Sequence, residues 1–99
     1  MERKRNRLEV IRDILTVVRN KNGKIKPTQI LYKSNLSHSM MKDYLDELLK
    51  KEFLLEIQTK TGRIYAITEK GNKFLMEYPT IVNFMQSFGL SEKKSESVF

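Results

Sequence analysis

Cysteine and tryptophan are absent from this 99-residue chain, histidine occurs once, proline twice and glycine four times. Without thiols there are no disulfides and no thiolate metal sites, a composition that suits the cell interior. One imidazole, His38, cannot make a protein metal site of ordinary ligand count, so no metal and no cofactor is expected. The same shortage removes Ser-His-Asp and Cys-His catalysis. No glycine-rich phosphate loop occurs. Asp43, Asp46 and Glu47 crowd one stretch as a magnesium site would need. Yet Asp46 and Glu47 fall on different helical faces, with Lys42 and Lys50 as natural partners. The chain is not expected to be an enzyme. Nor does any apolar run approach the roughly 20 residues that span a bilayer. The basic start, MERKRNR, lacks the apolar segment of a secretory signal, so a cytoplasmic protein without a membrane partner is expected.

Positive charge is abundant and unevenly placed. The net charge is +7, and residues 1 to 33 hold ten Lys/Arg against three acids, while basic and acidic groups cancel over the rest. A basic amino-terminal third points to a polyanionic partner, nucleic acid above all. Arg3, Lys4, Arg5 and Arg7 read as an arm lying along a groove or phosphate backbone. The plainer reading is a solvated tail that adds non-specific attraction.

The hydrophobic pattern divides the rest. Leu8, Ile11, Leu15 and Val18 recur at helical spacing, widened by Ile14, and predict a first helix over residues 7–20. Asn22-Gly23 supplies its stop, Lys24 to Lys26 pass in extended form, and Pro27 opens a second helix whose core contacts are Ile30 and Leu31. Asn35-Leu36-Ser37 is a turn. Ser37 or Ser39 caps a third helix that buries Met41, Tyr44, Leu45, Leu48 and Leu49 and turns His38, Ser39, Lys42, Asp43 and Asp46 outward. Tyr32 is assigned to packing with Tyr44, and the five methionines to filling gaps. Strands follow at 54–58 and 63–68, joined by a tip, Thr59 to Gly62, in which glycine allows a positive φ.

Thr68 caps a fourth helix with a seam of Phe74, Tyr78, Ile81, Met85 and Phe88. Pro79 lies inside it and is expected to kink or split it, and Gly89 closes it. With Val82 and Phe84, the seam holds more apolar surface than a short terminal helix hides easily. A second copy is the expected cover, the alternative being that the helix folds back on the first. The fold class is thus mainly α with a small β-hairpin (α+β). Its order is helix, short strand, helix, helix, strand, strand, helix: a helix-turn-helix with a β-wing, a shape that can set one helix in the DNA major groove. Residues 1–6 form the arm, 7–68 the winged unit, 69–89 the dimerising helix and 90–99 a disordered tail.

Four stretches carry a family resemblance: Leu8 to Leu15, Lys26 to Tyr32, Asn35-Leu36-Ser37 and Tyr65-Ala66-Ile67-Thr68-Glu69-Lys70-Gly71. In this order they resemble the small archaeal winged-helix DNA-binding proteins, the dimeric kind with a long carboxyl-terminal helix. The resemblance implies a homodimer on double-stranded DNA, with the third helices in successive major grooves and the wings on flanking phosphate or minor groove. Carried over by position, Ser37, His38, Ser39 and Lys42 read bases, and Lys60, Thr61 and Arg63 belong to the wing. Thr28 and Gln29 meet phosphate through backbone N–H groups and side chains. The dimer contact falls to Phe74, Tyr78, Ile81, Val82, Met85 and Phe88. In two places the chain departs from the pattern. Glu52 stands where relatives often place the glycine that ends the third helix, so a blunter helix end is expected. The last helix is also short for an extended coiled coil.

The third helix is not electropositive: Lys42, Lys50 and Lys51 face Asp43, Asp46, Glu47 and Glu52. Phosphate attraction must come from elsewhere, with only its amino end at the bases. His38 is a donor to a base edge or phosphate on one reading and an exposed bystander on the other. The expected role is transcriptional regulation, and no small-molecule effector is read from the sequence. The alternatives are an abundant, weakly specific chromatin protein and a protein–protein adaptor that uses the acidic part of the third helix.

Overall fold

The computed structural model describes residues 5–21 and 25–89. In chain order the elements are α1 (Arg7–Asn20), α2 (Pro27–Ser34), α3 (His38–Lys50), β1 (Leu54–Thr59), β2 (Gly62–Ile67) and α4 (Glu69–Ser87). This is the expected order, and an isolated bridge between Ile25 and Tyr65 supplies the short strand before α2. Outside the described residues lie Arg3 and Lys4 of the arm, the α1 stop at Asn22-Gly23 with Lys24, and the tail 90–99.

Side chains answer the backbone N–H groups that a helix start leaves without partners. Asn6 accepts from the Glu9 N–H at 2.8 Å while Glu9 Oε1 accepts from the Asn6 N–H at 3.1 Å, a reciprocal box at the head of α1. Ser37, not Ser39, caps α3 by accepting from Met40 at 3.1 Å. Thr68 caps α4 by accepting from Gly71 at 3.0 Å. Pro27 opens α2, and Gln29 Oε1 accepts the Lys26 N–H at 3.0 Å.

α2 and α3 end alike. After α2, Leu36 donates to the Leu31 carbonyl at 3.3 Å and Asn35 to Tyr32 at 3.3 Å, with Asn35 at φ 55°. After α3, Phe53 donates to Leu48 at 2.9 Å and Glu52 to Leu49 at 3.1 Å, with Glu52 at φ 67°. Both are the paired bonds of a helix that stops on a left-handed residue. The blunter end expected from the missing glycine does not occur. Glu52 makes the same sharp turn in a backbone region that costs a non-glycine residue about 1 kcal/mol.

β1 and β2 pair antiparallel from Leu54↔Ile67 to Thr59↔Gly62, leaving Lys60 and Thr61 as the tip. The positive φ falls on Gly62, at 126°. α1, the Ile25 bridge, α2, α3 and the hairpin converge on a core that includes Ile14, Leu15, Val18, Ile25, Ile30, Leu48 and Leu54. On α1 the buried face also takes in Val10, whereas Leu8 is only half-buried, so the stripe is centred slightly away from its expected line. Met41 is buried, but Met40 and Met76 are exposed, so the gap-filling role fails for those two.

α4 seats itself through one close approach. A Cβ on Gly71 would stand 2.4 Å from the Phe53 carbonyl oxygen, so only glycine lets the first turn lie on the α3–β1 connection. The Thr68 hydroxyl lies 2.7 Å from the Glu52 carbonyl and 3.0 Å from that of Phe53. From there α4 runs unbroken through an exposed Pro79 to Ser87, so the proline does not split it.

Candidate nucleic-acid interface

The amino end of α3 combines a free helix terminus with exposed polar side chains. Its first turn contains no acid, so no carboxylate offsets the positive end of the helix dipole. Ser37, His38, Ser39 and Lys42 are all exposed, as the sequence predicts. Lys42 meets Asp46 at 3.8 Å with both side chains mostly in water, a pair worth little and easily exchanged for a phosphate.

Beside Thr28 and Gln29, which the sequence names, α2 adds an outward residue that sequence reasoning assigned to packing. Its core side is Pro27, Ile30, Leu31 and Ser34, which leaves Thr28 and Tyr32, one turn apart, directed outward. Tyr32 is 81% exposed, which overturns its assignment to packing. Its spacing from Thr28, rather than from Tyr44, was the usable signal. Lys26 and Lys33 are exposed too and carry no ion pair among the described residues. Gln29 spends its carbonyl oxygen on the Lys26 N–H, so its amide N–H₂ is what remains for an outside partner.

On the wing, Lys60, Thr61 and Arg63 are exposed. Thr59 braces the tip: its hydroxyl donates to the Gly62 carbonyl at 2.6 Å and accepts the Thr61 N–H at 3.3 Å. Arg63 stands 3.7 Å from Glu56, again a loose surface pair.

The basic arm is where expectation and structure part. Arg5 is not a free arm residue. Its guanidinium donates to Asp13 at 2.5 Å and to the carbonyls of Ser34 and Asn35 at 2.7 and 3.2 Å. Arg7 pairs with Glu47 and lies over the Tyr44 ring at 5.9 Å. Both charges fold back because acceptors on α1, α2 and α3 lie within reach. Composition alone cannot distinguish that from solvent. Asn6 likewise belongs to α1 through its cap.

No group of three or more His, Cys, Asp or Glu side chains fit to hold a metal occurs among the described residues. No described helix is long and apolar enough to cross a membrane. A winged helix-turn-helix family model matches residues 4–86. The chain belongs to that family, a DNA-binding and non-enzymatic one. An uncharacterized protein of Methanocaldococcus jannaschii is 36% identical over 72 residues, which is 73% of this chain and 31% of that protein. The chain thus spans about a third of the length of that relative. Among solved structures it resembles Sso10a-2, a DNA-binding protein from Sulfolobus solfataricus. The TM-score is 0.70 at 28% identity, over 96% of this chain and 98% of that one. F93 from STIV, a winged-helix DNA-binding protein, gives 0.66 at 20% identity over 79% and 90%, a likeness of fold.

In this winged helix α4 is two surfaces in succession. Its first half is spent inside the chain: Phe74 packs edge-on to Phe53 at 5.9 Å, and Tyr78 lies under the Arg12 guanidinium at 5.1 Å. These two therefore make contacts within the chain, and both are half-buried. Ile81, Val82 and Met85 are half-buried. Phe84 and Phe88 are 60% and 65% exposed and stack at 4.8 Å.

Proposed function

We propose that this winged helix binds double-stranded DNA as a homodimer in the cytoplasm and regulates transcription. Ser37, His38, Ser39 and Lys42 enter the major groove and meet base edges. Thr28, Gln29, Tyr32, Lys26 and Lys33 on the α2 side lie against phosphate, and Lys60, Thr61 and Arg63 take the flanking backbone or minor groove. The observation that carries this reading is the acid-free, exposed start of α3, with Lys26 and Lys33 of the α2 segment exposed and in no ion pair among the described residues, in a chain of net charge +7.

The carboxyl half of α4 supplies the dimer contact, with Ile81, Phe84, Met85 and Phe88 along one side. Exposed aromatics on a terminal helix are the surface a second copy would cover. Phe84→Glu with Phe88→Glu should leave the fold intact, since neither is buried, and sediment as a monomer. A persistent dimer would move the contact elsewhere.

An abundant, weakly specific chromatin role is the second reading. It is favoured because Lys42 is the one Lys or Arg among the four base-facing candidates. The adaptor reading is weaker, because Glu47 is already engaged by Arg7 and by Lys51 at 2.9 Å. Fluorescence anisotropy with random-sequence duplex across a salt series tests the proposal. Log K should fall with log salt at about −0.9 per phosphate neutralised. No binding at low salt would end the DNA reading and bring the adaptor forward.

A further inference from the structure

Arg5 holds a position that neither charge counting nor a phosphate contact explains. One nitrogen of its guanidinium donates to Asp13 on α1 at 2.5 Å, and the other to the carbonyls of Ser34 and Asn35 at 2.7 and 3.2 Å. Those carbonyls are among the last of α2, where helix geometry leaves acceptors without internal donors and a cation is favoured. The grip is only two residues before Ser37, the cap of α3. Between them Asn35 takes its left-handed φ, and Leu36 swings back to the Leu31 carbonyl. The Ser34 hydroxyl is buried without a partner among the described residues, so that side chain does not itself tie down the turn.

Asp13 is anchored in its own right. Its second oxygen accepts from Arg12 at 2.7 Å, and Arg12 in turn lies over Tyr78 of α4. The side chains of Arg5 and Asp13 are only 25% and 26% exposed. The charge of Arg5 is thus neutralised and its donors aimed inward.

We propose that Arg5 is a positioning residue. Its planar fork, held by Asp13, fixes the turn between α2 and α3 and so sets how Ser37 to Lys42 are presented. This rests on the DNA-binding reading above, with Arg5 acting on DNA through the turn and not by touching phosphate. A lysine keeps the charge but cannot place donors on Asp13 and two carbonyls in one plane. Asp13→Asn removes the anchor while leaving the positive charge of Arg5 in place.

The test compares wild type, Arg5→Lys and Asp13→Asn in anisotropy salt series on one duplex, well below each melting temperature. Both variants should bind roughly tenfold more weakly, the scale of a lost charge-assisted hydrogen bond. Their log K against log salt lines should run parallel to wild type. A phosphate-binding Arg5 predicts the opposite: Arg5→Lys like wild type, and Asp13→Asn tighter because it releases the arginine. That pattern would overturn the proposal. A second readout needs no DNA. In amide spectra of the free proteins, both variants should shift Leu36 to Ser39 as well as the sites of substitution. Shifts confined to residues 5–13 would also overturn it. Should wild type fail to bind any duplex, the DNA reading falls, and the amide shifts still decide whether Arg5 holds the turn.

Discussion

The two ends of α3 are built for different purposes. At its carboxyl end nearly everything is spent on the chain itself. Glu47 is engaged by Lys51 and Arg7, and the Lys51 carbonyl accepts from Lys70 at 2.8 Å. The Glu52 and Phe53 carbonyls meet the Thr68 hydroxyl, and the Phe53 ring packs on Phe74 with the Lys70 amine 4.8 Å above it. At its amino end Ser37 caps one N–H, while His38, Ser39 and Lys42 stand in solvent around a helix start that holds no acid. A formal charge count over the helix hides this division. Its acids fall mainly in the half that already has partners, so the net negative charge does not repel a duplex from the exposed end.

If the division is right, changes at the carboxyl end alter stability and spare affinity, and changes at the amino end do the reverse. The largest effect is expected for Gly71→Ala. The added Cβ meets a backbone carbonyl that cannot step aside, and the cost should reach about 3 kcal/mol in denaturant unfolding, with DNA affinity unchanged below the transition. His38→Ala combined with Lys42→Ala should remove about 2 kcal/mol of preference between duplex sequences, roughly 30-fold. Its melting temperature should stay near wild type, and an unchanged preference would remove α3 as the reader. Thr68→Ala takes away the α4 cap and should cost about 1 kcal/mol of stability in the same unfolding assay. Smallest is Glu52→Gly, expected to stabilise by about 0.5–1 kcal/mol because the left-handed turn suits glycine. A loss instead would mean the Glu52 side chain contributes more than its backbone costs.

Much of this architecture could be read from residue order. The bounds of α1, the caps at Ser37 and Thr68 and the hairpin with its glycine follow from local chemistry, where a few neighbouring residues decide the outcome. The winged fold and the exposed start of α3 were legible for the same reason. What escaped depended on contacts between distant parts of the chain. Arg5 finds its carbonyl acceptors 29 and 30 positions away, and nothing in a run of arginines marks which one will turn inward. Tyr32 was misassigned because an aromatic at helical spacing suggests packing, yet the buried side of α2 was already filled by Ile30, Leu31 and Ser34. Glu52 was expected to blunt a turn that is sharp through backbone bonds to Leu48 and Leu49, its carbonyl held by the distant Thr68 hydroxyl. Phe74 and Tyr78 lie on the same seam as Phe88, and the positions of Phe53 and of Arg12 on α1 separate the packed half of α4 from the exposed half.

The most direct measurement is a backbone-amide NMR titration of the protein with a short duplex. The account predicts shifts at Thr28 and Tyr32, from Ser37 to Lys42, and from Lys60 to Arg63, with Glu47 to Phe53 unmoved. Shifts centred on Glu47 to Phe53, or saturating duplex that leaves the start of α3 silent, would contradict it.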